Sequence, residues 1–278
     1  MHFQIDLVLL CEILQECLHE IVVVSLVGFD HFADLADFAG LVVDCGDGGC
    51  CAIPFIEGYP FLSAVSQSYV TPRDLSRNLG AMINYEVLVH GKQISGPLCL
   101  ADDIRNKCCY IALDFEEEME IAKNNSAMIE ESYELPSGKI LTIASQRFRF
   151  PEVLFNSSVS FLRLDSLSIH EMTYNSIMKS DVNIRRSLFK NIVLAGGLTM
   201  IRGFVDRFTK EMTSLAPNNM KIEVVAPLER KYSAWNGGSI LASLDSFEQV
   251  YSLLPITNNS YYLVVVTACC YCFLFLFP

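Results

Sequence analysis

Short apolar runs, each stopped by glycine or proline, recur along this chain. Leu41–Asp44 (LVVD), Cys50–Ile56 (CCAIPFI), Ile192–Leu194 (IVL) and Ile222–Val225 (IEVV) are of this kind. Runs this short, bounded by turn formers, predict strands, and their spacing predicts an α/β core with all four in one mixed sheet. Between them the apolar period changes. In Arg202–Leu215, Phe204, Phe208 and Met212 fall on one face at helical spacing. Helices are also expected near Asp74–Val87 and Leu100–Cys109, with a turn at Pro136–Gly138. Gly237-Gly238 is expected to open a last helix, Ser239–Leu244. Upstream, Leu7, Leu10, Cys11, Leu14 and Leu18 share a helical face and Ile21–Val27 reads as a buried strand. Downstream, Tyr261–Phe277 is seventeen residues without a charge.

Charge sharpens the picture by exclusion. The 278 residues carry a net charge of −12. No basic stripe exists, so nucleic acid is not an expected partner. The first basic residue is Arg73, after ten acids. Met1–Asp6 lacks the basic start of a signal peptide, and Glu12, Glu16 and Glu20 interrupt the apolar stretch after it. Eleven cysteines include the adjacent pairs Cys50-Cys51 and Cys108-Cys109, poorly placed for ordinary disulfides. Cys269 and Cys272 form a CxxC with no second pair to complete a zinc site. Reduced, buried thiols of a cytosolic protein are expected.

The chemistry concentrates in two glycine elements. Asp44-Cys45-Gly46-Asp47-Gly48 reads as a tight hairpin that turns backbone N–H groups toward an anion, or as an ordinary acidic turn. Gly196-Gly197 directly follows an apolar strand, where the missing Cβ atoms would let a planar ligand approach the backbone.

The whole run Asn191–Leu244 (NIVLAGGLTMIRGFVDRFTKEMTSLAPNNMKIEVVAPLERKYSAWNGGSILASL) resembles the adenosine-binding half of actin. So do Ile169–Leu188, Tyr110–Glu118, Ser132–Gly138 and Arg147–Phe155, while Val43–Gly49 with Ile53-Pro54 and Glu57-Gly58-Tyr59 resembles the second phosphate hairpin of the family. The resemblance runs from about Leu41 to Tyr251. It implies the fold that actin shares with sugar kinases and the heat-shock ATPases, here incomplete: a second lobe with its insert subdomain, and most of the first lobe missing. The implied division is 41–70 and 163–232 as the larger nucleotide-binding subdomain, 71–162 as the insert and 233–251 as a remnant of the first lobe. Residues 1–40 and the apolar tail 252–278 do not resemble the family.

For the site, the resemblance implies ATP or ADP with magnesium or calcium. Asp44, Gly46, Asp47 and Gly48 would take the phosphates, with Asp44 orienting the cation's water shell. Arg105 and Lys231 stand where the family has lysines beside adenosine, and Asn106 stands in place of the glutamate that meets the ribose. Gly196, Gly197, Met200 and Tyr232 would line the adenine pocket, with Leu198 replacing a threonine; core packing is the plainer reading of Met200 and Tyr232. Cys51 replaces a histidine near the γ-phosphate, and neither the first phosphate hairpin nor the water-positioning glutamine of the family is found. The family hydrolyses ATP. Phosphoryl transfer is mostly positioning and charge stabilisation, so useful hydrolysis is not expected here.

The resulting expectation is a cytoplasmic, actin-like cytoskeletal protein that meets actin or actin-binding proteins and does not polymerise alone. Phe161-Leu162 and Ile169–Met178 resemble a region of subunit contact in the family. A translated remnant without function, a phosphotransferase and a membrane protein anchored through 261–277 are the competing readings. The last is not favoured, since no flanking Lys or Arg sets an orientation.

Overall fold

The computed structural model describes residues 39–57, 59–89, 98–136, 138, 140–156, 158 and 166–242. The expected helix at 7–18, the strand at 21–27, Phe161-Leu162 and the run at 261–277 lie outside them.

Four strands begin the described chain: β1 (Ala39–Gly46), β2 (Gly49–Ile56), β3 (Tyr59–Pro60) and β4 (Ser66–Ser68). Two more, β5 (Glu131–Glu134) and β6 (Ile140–Ile143), form a separate hairpin. The last are β7 (Ile192–Ala195) and β8 (Val224–Val225). The main sheet is six-stranded in the order β3-β2-β1-β7-β8, with β4 also paired to β2. β1 pairs antiparallel with β2 and parallel with β7, and β7 pairs parallel with β8. The four expected strands therefore share one mixed sheet.

β1 is central and buried on both faces, which is why it reads as a continuous apolar run. Its alternation still sorts the core. Leu41, Val43 and Cys45 join the larger cluster, with Phe189, Phe204, Phe208 and Met212. Val42 joins the smaller one, with Cys51, Ile53, Phe55, Val193 and Ala195. Burial of the large aliphatic and aromatic side chains contributes roughly 1.5–3 kcal/mol each.

The helices are α1 (Pro72–Val89), α2 (Leu98–Cys108), α3 (Phe115–Asn124), α4 (Gln146–Arg149), α5 (Ile169–Lys179), α6 (Val182–Lys190), α7 (Phe204–Leu215) and α8 (Ser233–Ala242). Local sequence sets their starts. At α1, Thr71 Oγ1 donates to Asp74 Oδ2 (2.6 Å) and the Asp74 amide returns to Thr71 Oγ1 (3.2 Å), with Pro72 at the first helical position. At α5, Ser168 and Glu171 form a capping box. The expected turn at Pro136–Gly138 joins β5 and β6; Gly138 has φ 76° and its amide donates to the Leu135 carbonyl at 2.8 Å.

Three expectations are corrected. Only Val224–Val225 of the Ile222–Val225 run is strand. The Glu223 amide instead donates to the Phe189 carbonyl, at the end of α6 (3.1 Å). The Arg202–Leu215 helix starts two residues later, because Gly203 turns left-handed (φ 84°) where a Cβ would meet the Ile111 carbonyl oxygen at 2.3 Å. Finally, Gly237-Gly238 lies inside α8 rather than opening a helix. Ala234, one turn earlier, packs on the smaller core cluster, so burial holds a helix that two glycines weaken by about 1 kcal/mol each.

Candidate functional site

The site forms where the parallel strands β1 and β7 end together. Ligands of α/β sheets bind beyond the carboxyl ends of such strands. Asp44 stands opposite Ala195 in register, so the phosphate-type hairpin and the Gly196-Gly197 step start side by side. The contact is tight. A Cβ on Gly196 would lie 2.4 Å from the Cys45 carbonyl oxygen and 2.5 Å from Asp44 Oδ1, and φ is 86°. Gly196 is thus needed by the protein itself, as the point where two strand ends touch. Gly197 differs: a Cβ there would meet only Lys231 Cγ, at 4.0 Å. That is the cradle a ligand could use.

The hairpin closes through Gly46 and Gly49, which face each other, leaving Asp47-Gly48 as the two-residue tip. Gly49 has φ 128°. On the far strand Cys51 stands opposite Asp44. It is buried, as part of the smaller core cluster, so its thiol fills sheet rather than projecting as a basic group.

On the other wall, the turn Gly197–Met200 packs against the turn Arg230–Tyr232. Met200 and Tyr232 are each 42% exposed, whereas Leu198 and Thr199 are buried. The two named pocket residues are therefore surface groups on facing turns rather than core. Lys231 Nζ lies 5.4 Å from the Tyr232 ring centroid.

Arg105 sits on α2 with its guanidinium turned inward. Nη1 donates to the Pro72 carbonyl (3.2 Å) and Ser76 Oγ (3.0 Å) and pairs with Asp102 (3.0 Å). Its Nε donates to Asn106 Oδ1 at 3.4 Å, and Asn106 is exposed. Burial draws the Arg105 guanidinium below its ordinary value, while the Asp102 carboxylate beside it pulls it back. Asp44, Gly46, Gly196, Gly197 and Lys231 are brought together, with Asp47 and Gly48 at the adjoining hairpin tip; Arg105 is engaged by Pro72, Ser76 and Asp102, and Asn106 stands beside it.

Arg230 is the residue that sequence reasoning missed. Its Nε donates to Thr199 Oγ1 (3.0 Å), Nη2 to the Thr199 carbonyl (2.9 Å) and Nη1 to the Pro227 carbonyl (2.9 Å). Its own carbonyl accepts from the Gly196 amide (3.0 Å), and Thr199 Oγ1 donates to the Gly196 carbonyl (2.7 Å). One side chain therefore stitches the glycine turn to the 230–232 turn. Nothing in ERKYS distinguishes the stitching arginine from the neighbouring lysine.

A separate polar cleft of about 340 Å³ lies beside Glu152, His170, Arg207 and Glu211. Arg207, one of its lining residues, pairs bidentately with Glu152 (2.9 and 3.1 Å) and with Glu211 (2.6 Å). Among the described residues no group of three or more His, Cys, Asp or Glu could hold a metal, and no helix is long and apolar enough to cross a membrane. The family model described as Actin matches residues 27–253, which takes in every residue of the candidate site.

Proposed function

The chain belongs to the actin family, and from that footing we propose an actin-like cytoskeletal protein that holds an adenine nucleotide weakly and associates with conventional actin. The observation that carries the nucleotide half is the pair of strand ends. Asp44 and Gly196 touch, the glycine tip lies on one side, and the Gly197 and Lys231 turns lie on the other. Phosphates on the tip and a base against Gly197, Met200 and Tyr232 would use both walls. The residues fit the group: Gly197 leaves the space a side chain would fill, and Lys231 supplies positive charge. A divalent cation would take its ligands from phosphate and water, with Asp44 orienting that water.

Binding without turnover is the expected behaviour of this chain. Cys51 is buried in the sheet opposite Asp44 and offers no imidazole beside the terminal phosphate. The Asp44–Gly48 hairpin would hold a polyphosphate from one side, and a polyphosphate so held is poorly positioned for attack. Steady phosphate release above a protein-free control, abolished by Asp44→Ala, would overturn this.

The cytoskeletal half rests on family membership and on the exposed residues of α5, the segment that resembles a subunit-contact region. Met178 is exposed at the end of that helix. Sedimentation in magnesium and salt tests it. The chain alone should stay in the supernatant and should pellet with filaments of conventional actin. Ordered filaments from the pure chain, or no enrichment with actin filaments, would contradict the proposal.

A further inference from the structure

The two cysteines that flank the phosphate-type turn face each other. Cys45 and Cys50 are direct partners in the β1–β2 register, one step inside the Gly46–Gly49 pair that closes the turn. In a hairpin with a two-residue tip the closing pair exchanges hydrogen bonds and the next pair does not. Side chains of such a non-hydrogen-bonded pair approach closely, with Cα atoms about 4.5 Å apart, inside the range a disulfide spans. Both thiols lie on the same face, in the larger core cluster, at 0% and 1% exposure. The Cys50 thiol reaches the Val70 carbonyl at 3.8 Å. Cys51 belongs to the other face, with Val42 and Val193, so the adjacent pair Cys50-Cys51 splits across the sheet.

We propose that Cys45 and Cys50 form a cross-strand dithiol that a peroxide converts to an intramolecular disulfide stapling the phosphate-type turn. The step balances with hydrogen peroxide as oxidant. One cysteine, as thiolate, attacks a peroxide oxygen; the O–O bond breaks, hydroxide leaves, and a sulfenic acid remains. The facing thiol then attacks that sulfur, the S–S bond forms, the S–O bond breaks and the oxygen leaves as water. Two thiols and one peroxide become one disulfide and two waters. Burial holds the Cys45 thiol protonated, so the reaction is slow and follows transient opening of the turn. A dithiol reductant reverses it. The bond joins the strands on both sides of Gly46-Asp47-Gly48-Gly49 and fixes the separation of the turn's amides; it does not require nucleotide.

Asp47 lies between the two cysteines, which makes the bond easy to map. The folded full-length chain is treated with hydrogen peroxide, unfolded in N-ethylmaleimide, and cleaved on the amino side of aspartate. The expected product is the Asp44–Gly46 peptide joined to the peptide that starts at Asp47, lighter than their sum by a pair of hydrogens. Fragmentation should place the link at Cys50, and dithiothreitol should separate the two. Cys51→Ser should leave the joined product in place and Cys50→Ser should abolish it. Should Cys50→Ser fail to fold, the fragmentation of the unmodified chain decides alone. Recovery of both cysteines as maleimide adducts after peroxide, or a link that uses Cys51, overturns the proposal.

Discussion

Gly196 and Gly197 look alike in sequence and do opposite work. Gly196 has a backbone conformation that residues with a side chain almost never adopt (φ 86°, ψ 157°), and a Cβ would collide with Cys45 and Asp44. Gly196→Ala should therefore destabilise the fold by about 3 kcal/mol or more, read as a lowered midpoint in urea. Gly197→Ala meets nothing closer than Lys231 Cγ at 4.0 Å. It should leave the midpoint within about 0.5 kcal/mol of the parent and act on nucleotide affinity instead. The dipeptide marked the place correctly in the sequence. It could not divide the labour, because the crowding at Gly196 comes from a strand about 150 residues earlier in the chain. Arg230 was hidden for a similar reason, since its guanidinium reaches Thr199, 31 residues earlier in the chain.

At the scale of elements, the starts of helices carry testable weight. Ser168 Oγ donates to Glu171 Oε2 (2.6 Å), and the Ser168 amide donates to the same oxygen (3.2 Å). Those bonds to Ser168, side chain first, hold the Glu171 carboxyl below its ordinary value of 4.5, with His170 adding a smaller pull. A depressed carboxylate stabilises the folded state above its unfolded value and loses that contribution as pH falls through the folded value. Stability should therefore drop below about pH 4.5 in a way that Glu171→Gln removes. Ser168→Ala should cost about 1 kcal/mol at neutral pH. Farther along, α7 is tied to the 3-10 turn Pro151–Leu154 through Arg207 and Glu152, both buried. Burial raises the Glu152 carboxyl, although Arg207 beside it opposes the shift. Leaving either partner alone is costly, so Arg207→Ala should destabilise by roughly 3–5 kcal/mol, measured by denaturant unfolding. Helix α7 was legible from its apolar face. The pair was not, because an arginine on a periodic helix reads as solvent-exposed until the helix is seen to pack against Glu152.

The described residues place the main sheet between its two core clusters of unequal size, with a candidate ligand site at the end of its central parallel strands. The strand pattern carried most of this: four apolar runs with glycine or proline stops mark four strands of the sheet. The bounds of the short strands β3 and β4 were not legible, since two or three residues give no period to read. The glycines of α8 misled in the other direction, because local propensity yields where a helix is held by tertiary packing. We propose that the two walls at the ends of β1 and β7 bind one adenine nucleotide. Titration of the folded chain with a fluorescent ATP analogue in magnesium, in parallel with Gly197→Ala and Asp44→Ala, tests it most directly. Saturable binding that each substitution weakens about tenfold, or about 1.4 kcal/mol, with the unfolding midpoint of Gly197→Ala unchanged, is the predicted result. No saturable binding by the folded parent chain, or binding that both substitutions leave untouched, would contradict it.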